Sequence, residues 1–338
     1  MTRSLVAEEA PQAAVPSGWL RSVIAALSPA GRRGRLSILI FHRVHAEPDA
    51  LFPEEMHAAS FRERMLWIRH WFNVIPLDEA VVALARGTLP SRALAITFDD
   101  GYADNVTVAL PILRELGLHA TFFVATGFLD GGRMWNDTII ETLRRVSGDE
   151  LDVAALGLGR HSIRSLPERR HAIDVLIAKL KYLASPERQT RVDAMAAQAG
   201  VSLPSDLMMT GAQLRSLASA GMGLGGHTAN HPILTRLDDA TARREIGEGR
   251  EALQGIVRQP VSLFAYPNGK PGIDYAAVHV RMAKECGFAA AVSTAPGAAR
   301  SGSSAHELPR FTPWGRDPLR WGAHLARNFF TGVETAAA

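Results

Sequence analysis

Residues 93–102 have the sequence ALAITFDDGY, an apolar run that ends in two aspartates and a glycine. The stretch Ala93–Phe98, apolar at every position except Thr97, predicts a buried strand. Asp99 and Asp100 repel each other when both are ionised, so their position beside this strand calls for a compensating cation. Asp-Gly is also a common turn pair, and the dipeptide by itself equally fits a turn or the start of a helix over 103–116.

On both sides of this stretch, strand-like and helix-like segments alternate from residue 36 onward. The predicted strands are short apolar runs at 36–42, 72–76, 93–98, 120–125, 222–227, 261–266 and 288–293. Between them, helix-like patterns cover 61–71, 77–85, 103–116, 212–220, 239–257 and 275–286. This alternation predicts parallel βα units, in a barrel or an open doubly wound sheet.

The alternation is interrupted between about residues 136 and 209. This block has helical patterns over 137–146, 167–183 and 186–199 and no convincing strand, so we interpret it as a helical insertion on one βα loop. The predicted organisation is therefore an N-terminal extension at 1–35, one α/β domain over 36–330 with this insertion, and a frayed tail at 331–338.

The composition excludes several classes of protein. Lysine and arginine number 37 against 34 aspartates and glutamates among 338 residues, and because both signs are interspersed we expect no nucleic-acid partner. The single cysteine, Cys286, allows neither an internal disulfide nor a cysteine-rich zinc site. Apolar residues make up 47% of the chain, which is enough to bury a sizeable core.

The N-terminal residues bear on where the protein is located. Glu8, Glu9, Pro11 and Pro16 interrupt the apolar stretch that a secretory signal requires, and no apolar run reaches the roughly 18–20 residues of a membrane helix. We therefore expect a cytoplasmic protein. The predicted helix Gly18–Leu27 either contacts a membrane peripherally or packs on the domain's own surface, and the second interpretation is favoured.

A second polar motif, GHTANHP, occupies residues 226–232 directly after a predicted strand. His227 and His231 are four residues apart, which places them on the same side of a helical turn and suits coordination of one metal ion. A lone histidine is usually a satisfied polar residue, whereas two at ligand spacing are less often accidental. One aspartate with two histidines leaves coordination positions open for water and substrate.

Two further motifs also follow predicted strands. FAYPNG at 264–269 ends one of them, and His42 follows the apolar run 36–41. Each has a simple structural explanation, a turn in the first case and a polar cap in the second. In a parallel barrel, however, the carboxyl ends of the strands meet on one face, where active sites are assembled. We therefore predict one site on that face, built from His42, Asp99, Asp100, His227 and the turn at 267–269.

Together these motifs resemble those of a known family. TFDDGY at 97–102 and HTANHP at 227–232 are similar to the first two motifs of the polysaccharide deacetylases, the NodB-homology or carbohydrate esterase family 4 proteins, and FAYPNG is similar to their third. The resemblance covers about residues 36–130 and 210–312. It implies a distorted (β/α)7 barrel and a divalent metal, most often Zn²⁺, with which N-acetyl groups are hydrolysed from amino sugars of polysaccharides.

The resemblance also implies roles for individual residues. Asp99 corresponds to the catalytic base, and Asp100, His227 and His231 correspond to the metal ligands. The chemistry is consistent, because the metal polarises the acetamide carbonyl and acidifies a water molecule while the base takes the proton.

The third motif contains the oxyanion donor in this family, and here it consists of Pro267, Asn268 and Gly269. The donor is a backbone N–H, so the change from the usual Tyr to Asn268 does not remove it. Ala265 stands where many members have an arginine that orients the base. We expect Arg310 to take this role from the last strand.

The general acid is a second departure from the family pattern. Many members have a histidine in a final motif, where this chain offers only His306 in a Gly/Ser-rich stretch. In the branch that acts on poly-N-acetylglucosamine, the acid histidine lies in an N-terminal strand motif similar to ILIFHRV at 38–44. We therefore favour His42 over His306 as the acid.

The leading hypothesis is a metal-dependent hydrolase that removes N-acetyl groups from an exopolysaccharide or its lipid-linked precursor. A related amidohydrolase acting on a small molecule, or a deformylase acting on a lipid-linked sugar, would share the same barrel and site. A carbohydrate-binding protein on an inactive scaffold is an alternative of another class, and the retention of Asp99 together with Asp100, His227 and His231 argues against it.

Overall fold

The strands form one large sheet and one small hairpin. The computed structural model describes residues 18–312 and 315–337. Its strands are β1 Arg35–Phe41, β2 Asn73–Val74, β3 Ala93–Phe98, β4 Thr121–Val124, β5 Glu150–Val153, β6 Gly159–Ser162, β7 Gly223–Gly226, β8 Leu263–Ala265, β9 Ala290–Val292 and β10 Ala299–Arg300. Each of the seven predicted strands overlaps one of these, so the predicted alternation is confirmed.

The helices cover the outside of the large sheet and build the insertion. They are α1 Gly18–Leu27, α2 Ala58–Trp71, α3 Leu77–Arg86, α4 Leu110–Glu115, α5 Trp135–Arg145, α6 Leu166–Leu180, α7 Ser185–Gln198, α8 Gly211–Ser219, α9 Asp239–Val257, α10 Ala277–Glu285 and α11 Pro318–Asn328. None of the described helices combines the length and apolar character needed to cross a bilayer.

The large sheet has the strand order β10-β1-β3-β4-β7-β8-β9, with β2 also paired to β3. All of its pairings are parallel except that of β10 with β1. In β3, Leu94, Ile96 and Phe98 belong to the larger core cluster, whereas Ala93 and Ala95 belong to a second, smaller one. This alternation follows from the two-residue period of a strand and explains why the whole strand is buried.

A short segment near the C-terminus bridges the two ends of the parallel sheet. Leu308 pairs with Val292 of β9, and Phe311 pairs with Leu39 of β1. These contacts curl the sheet into an incomplete barrel, so the predicted distorted (β/α)7 barrel is confirmed. We call residues 308–311 the closing segment.

The block at 136–209 contains three of the helices, α5, α6 and α7, which share a hydrophobic core with Leu151 and Val153. The prediction of no strand in this block was wrong, because β5 and β6 pair as an antiparallel hairpin. Both strands are four residues long, and β5 alternates exposed and buried positions, Glu150 and Asp152 outward. So short a polar strand lacks the apolar run on which the prediction relied.

The predicted helix over 103–116 differs from the regular helix expected. Asn105–Ala109 forms a π-helical turn, and regular α-helix covers only Leu110–Glu115. Pro111 lies at the junction and has no N–H to donate to the preceding turn, which interrupts the α-helical bonding ladder.

The two ends of the described chain pack on the barrel. Leu20 and Ile24 of α1 are buried in the main core. Residues 1–17 of the predicted N-terminal extension lie outside the described residues. In the tail that we expected to be frayed, Ala336 and Ala337 donate their backbone N–H groups to the Glu307 carboxylate, at 2.6 and 3.3 Å.

Candidate active site and metal centre

Asp99 and Asp100 follow β3 directly, at its carboxyl end. Asp99 continues the row of alternate residues that contains Ala95 and Thr97, and it is only 2% exposed. Asp100 and Gly101 have φ values of +77° and +91°, so the chain turns sharply here. A Cβ on Gly101 would lie 2.9 Å from a methyl carbon of Val124, so glycine is required both for space and for conformation.

Asp100, His227 and His231 surround one point. The Nε2 atoms of His227 and His231 lie 3.4 and 3.5 Å from Oδ1 of Asp100. The three ligand atoms lie within 4.8 Å of one another. Within the described residues, Oδ1 of Asp100 is buried without a hydrogen-bond partner. A buried carboxylate oxygen that has no hydrogen-bond partner and faces two imidazole nitrogens is suited to bind a divalent cation together with them.

The backbone around His227 fixes the orientation of its ring. Nδ1 of His227 lies 2.7 Å from the carbonyl oxygen of Ala265, at the end of β8. A carbonyl can only accept, so Nδ1 carries a proton, and Nε2 is the ring nitrogen that faces Asp100. Histidines that bind a metal through one ring nitrogen typically donate a hydrogen bond from the other, as Nδ1 does here.

His227 and His231 do not lie on a helical turn, contrary to the expectation from their spacing. The chain between them is a loop in which Thr228 and His231 have φ values of +63° and +51°. The Thr228 hydroxyl accepts a hydrogen bond from the backbone N–H of His231 at 3.0 Å, which closes the turn. The two rings meet edge to face with centroids 4.7 Å apart.

Arg310 lies in the closing segment, and its guanidinium reaches Asp99. It donates to both carboxylate oxygens, each at 2.7 Å, and its other donors bind the Ser293 carbonyl and the Thr97 hydroxyl. Arg310 is completely buried. The bidentate geometry fixes both the charge and the plane of the carboxylate.

The charges around the site favour ionised carboxylates at Asp99 and Asp100 and a neutral His231, whereas at His227 burial is outweighed by the two carboxylates, which raise the pKa of the imidazole. Burial raises the pKa of Asp99, but Arg310 and then His227 outweigh it and hold that pKa below the usual range. Burial likewise raises the pKa of Asp100, and the neighbouring imidazoles of His227 and His231 lower it further than burial raises it. Burial lowers the pKa of His231 to about 4 despite Asp100.

Comparison with known families identifies this arrangement. The family model "Polysaccharide deacetylase" matches residues 86–176 and 188–291, more than half of the chain. The chain belongs to the polysaccharide deacetylase family. It is accordingly a hydrolase that acts on carbon–nitrogen bonds, as the resemblance of the motifs implied.

Individual relatives agree with this deacetylase assignment. The polysaccharide deacetylase homologue YxkH of Bacillus subtilis is 20% identical over 278 residues, which cover 82% of this chain and 70% of YxkH. The Streptococcus pyogenes deacetylase PplD superposes with a TM-score of 0.58 at 18% identity, covering 87% of this chain and 98% of PplD. IcaB from Ammonifex degensii superposes with a TM-score of 0.56 at 17% identity, and the match covers 90% of this chain and 99% of IcaB. At these identities, the two structures show a shared fold.

The third deacetylase motif forms a tight turn after β8. Asn268 has a φ of +58°, and the backbone N–H of Gly269 donates to the Pro267 carbonyl at 2.6 Å. Thr294 anchors the turn, since its hydroxyl donates to the Asn268 carbonyl and its N–H to the Gly269 carbonyl. Among the hydrogen bonds of the described residues, none uses the Asn268 N–H, which leaves this donor available to a ligand.

The two candidate acids lie at opposite ends of the deacetylase barrel. His42 follows β1 at its carboxyl end, is exposed, and lies near enough to Asp99 and Asp100 to contribute to lowering the pKa of both carboxyls. His306 instead places Nε2 2.9 Å from the carbonyl of Phe288, which precedes the amino end of β9. The structure therefore brings His42, and not His306, to the catalytic face.

A buried polar group beside the deacetylase site was missed by sequence reasoning. The Tyr102 hydroxyl lies 3.1 Å from both oxygens of Asp137, and the Arg43 guanidinium lies over the Tyr102 ring at 4.7 Å. Asp137 is in the first turn of α5, where an acidic residue is ordinary. Nothing in the local pattern indicates that this carboxyl is buried against the strand-end motif.

Proposed function

We propose that this deacetylase removes N-acetyl groups from the amino sugars of an exopolysaccharide or of its lipid-linked precursor. The observation that carries the proposal is the Arg310–Asp99 pair next to the cluster of Asp100, His227 and His231. A buried, ionised base beside a set of three ligands is what metal-assisted amide hydrolysis requires. The solved structure of PplD, which has this fold, contains acetate, the acid that such a reaction releases.

Asp100, His227 and His231 would hold the metal, and the two nitrogen and one oxygen donors favour Zn²⁺. When bound, the metal supplies Lewis acidity that polarises the acetamide carbonyl and acidifies a water molecule. The chain itself excludes bulk water from Asp99 and orients His227 through the Ala265 carbonyl.

Asp99 takes the proton of the attacking water as a new carbon–oxygen bond forms. Each carboxylate oxygen accepts one bond from Arg310 and retains a second lone pair for that proton. Arg310 therefore acts as a positioning residue that keeps the carboxylate plane constant while the proton moves.

The remaining steps use Asn268 and His42. The backbone N–H of Asn268, in the turn from Pro267 to Gly269, donates to the developing oxyanion. His42 donates a proton to the sugar nitrogen as the carbon–nitrogen bond breaks, because an amide anion is a very poor leaving group. Acetate and a free amine are the products.

The test is acetate release from a panel of soluble N-acetylated oligosaccharides by the full chain loaded with Zn²⁺. We expect turnover with at least one acetylated substrate and a loss of about 10²–10⁴-fold in Asp99→Asn, the usual contribution of a positioned general base. Asp193→Asn, the same change at an exposed position of α7, should match the parent. Release of formate from an N-formylated panel without acetate would favour the deformylase, and no turnover at all would favour the binding protein.

A further inference from the structure

The helices α1 and α11 pack against each other on one side of the barrel. A Cβ on Gly322 of α11 would collide with the Leu20 side chain of α1, so the absence of a side chain there allows the close approach. Leu20 and Ile24 face the core from α1, and Trp321 and Leu325 face it from α11. The two helices are thus held firmly by their inner faces.

The outer faces of these two helices are unusually apolar. Trp19 is 58% exposed and Val23, four residues later on the same stripe, is 38% exposed. Leu319 is 49% exposed on α11, and Phe330, just after that helix, is 69% exposed. Half of the large apolar side chains exposed in the described part of the chain therefore belong to this small region, which we call the α1–α11 face. Exposed apolar side chains concentrated in this way mark a contact surface.

The charges in the same segments have one sign. Residues 18–35 and 318–333 together contain six arginines and no aspartate or glutamate, although acidic and basic residues nearly balance over the whole chain. The acidic residues that flank the second range are Asp317, which caps α11, and Glu334. Arg21, Arg32 and Arg33 are exposed beside α1, and Arg320 and Arg327 are exposed on α11. A surface that combines exposed aromatic rings with arginines is complementary to an anionic lipid bilayer.

A cavity of about 670 Å³ adjoins this face next to Phe330. Arg35 and Arg300, opposite each other where β1 pairs with β10, both line it, together with Ser301 and Ser303. The Arg35 guanidinium also lies 5.9 Å from the centre of the Phe330 ring. Two guanidiniums with hydroxyls suit a phosphate group, so a lipid headgroup fits here while Phe330 enters the acyl boundary.

One carboxylate, that of Glu307, also lines the cavity. It is 2% exposed and accepts hydrogen bonds from the backbone N–H groups of Ala336 and Ala337 and from the Tyr275 hydroxyl. Its oxygens are therefore engaged with the tail and with Tyr275, and the other charged residues that line the cavity are Arg35 and Arg300. The cavity lies at the amino end of β1, the end opposite Asp99.

We propose that the α1–α11 face binds the surface of an anionic phospholipid bilayer. Helix α1 has ten residues, a length of about 15 Å, so it lies in the interface and does not span the membrane. Trp19, Val23, Leu319 and Phe330 enter the headgroup–acyl boundary, and the arginines pair with lipid phosphates. Because the catalytic face is at the carboxyl ends of the strands, a soluble substrate reaches the site whether or not the bilayer is bound.

The test is co-sedimentation of the full chain with vesicles. Vesicles of equal parts phosphatidylglycerol and phosphatidylcholine should bind the protein, and this binding should weaken as salt rises through the range where surface charges are screened. Vesicles of phosphatidylcholine alone should bind at least tenfold more weakly. Absence of binding to the anionic vesicles, or equal binding to both compositions, would overturn the proposal.

Matched variants locate the contact. Arg32→Glu combined with Arg33→Glu should weaken binding about thirtyfold, at about 1 kcal/mol for each arginine lost. Trp19→Ser combined with Phe330→Ser should weaken it at least tenfold. Ile273→Ser, at a residue 62% exposed in another part of the protein, should bind like the parent. All of these substitutions are at exposed positions, so melting temperatures and turnover of a soluble substrate should not change.

Two outcomes contradict the proposal here. Vesicle binding by the Trp19→Ser/Phe330→Ser variant at the parent level would move the contact elsewhere. A dimer of the parent in analytical ultracentrifugation that this variant abolishes, without vesicle binding by the parent, would instead assign the face to a second copy of the chain.

Discussion

Arg310 and Asp99 are 211 residues apart in the sequence, yet they form a bidentate ion pair with two bonds of 2.7 Å in the interior of the barrel. Ala265, at the position where the family resemblance implies an arginine in many members, is uncharged. The closing segment bridges β9 and β1 outside any regular strand and therefore brings a guanidinium to Asp99 from a different part of the chain. The same ionic contact is thus available from a second place in the fold.

Arg310→Lys should retain the fold and the metal but lose turnover. An ammonium preserves the positive charge that a buried carboxylate needs, whereas it cannot make two parallel bonds. We expect kcat to fall about 10–100-fold with KM little changed, because the loss concerns orientation and not substrate binding. Steady-state kinetics with elemental analysis of the same samples checks this. Unchanged kcat would remove Arg310 from the mechanism.

His231→Ala should release the metal. Three protein ligands form the proposed site, so removing one of them eliminates a third of the protein's coordination. We expect less than one-tenth of the parent's zinc content after dialysis, measured by mass spectrometry of the digested protein. His161→Ala, in the insertion, is the matched control and should retain one ion per chain. Full zinc content in His231→Ala would contradict the ligand assignment.

His42→Ala should separate catalysis from metal binding. His42 is exposed at the carboxyl end of β1, so its removal leaves the core unchanged and removes the proton donor for the departing amine. We expect turnover to fall about 10²–10⁴-fold with unaltered zinc and melting temperature. His306→Ala, at the opposite end of the barrel, should retain activity. Activity that survives in the first variant and disappears in the second would reverse the assignment.

The sequence predicted the strands and their polar ends because both depend on local patterns. The run ALAITF at 93–98 is apolar at every position but one, and the aspartates that follow it mark where the predicted strand ends. Because the carboxyl ends of parallel strands lie on one face of a barrel, the sequence then predicted that Asp99, Asp100 and His227 lie close together. Arg310 was expected at Asp99 from the resemblance to a family and from the missing charge at Ala265.

Features that depend on tertiary contacts could not be predicted in the same way. The strands β5 and β6 are short and half polar, and they are extended because they pair with each other. A local sequence pattern does not show this pairing. His227 and His231 meet through a loop with left-handed residues, which a spacing of four does not distinguish from a helix. The Tyr102–Asp137 pair joins the strand-end motif to the insertion, and only the packing of α5 reveals it.

Asp137 should make the stability of the protein depend on pH. Its burial, only partly offset by Arg43, raises its pKa from 3.8 to about 7. Between pH 4 and pH 7, therefore, the Asp137 carboxyl is protonated in the folded state and ionised in the unfolded state. Stability contributed by this group is complete below pH 4 and is lost as the pH rises toward 7, by about 4 kcal/mol in total.

Asp137→Asn should remove this dependence while keeping the contact with Tyr102. The amide oxygen still accepts from the Tyr102 hydroxyl but carries no charge, so the ionisation cost disappears. We expect the variant to be more stable than the parent by about 2–4 kcal/mol at pH 8 and by less than about 2 kcal/mol at pH 5. Urea denaturation at both pH values measures the difference, and Asp193→Asn, at an exposed position, should show none. If Asp137→Asn changed the free energy of unfolding equally at the two pH values, the carboxyl would not change its ionisation between them, which would contradict a pKa raised to about 7 by burial.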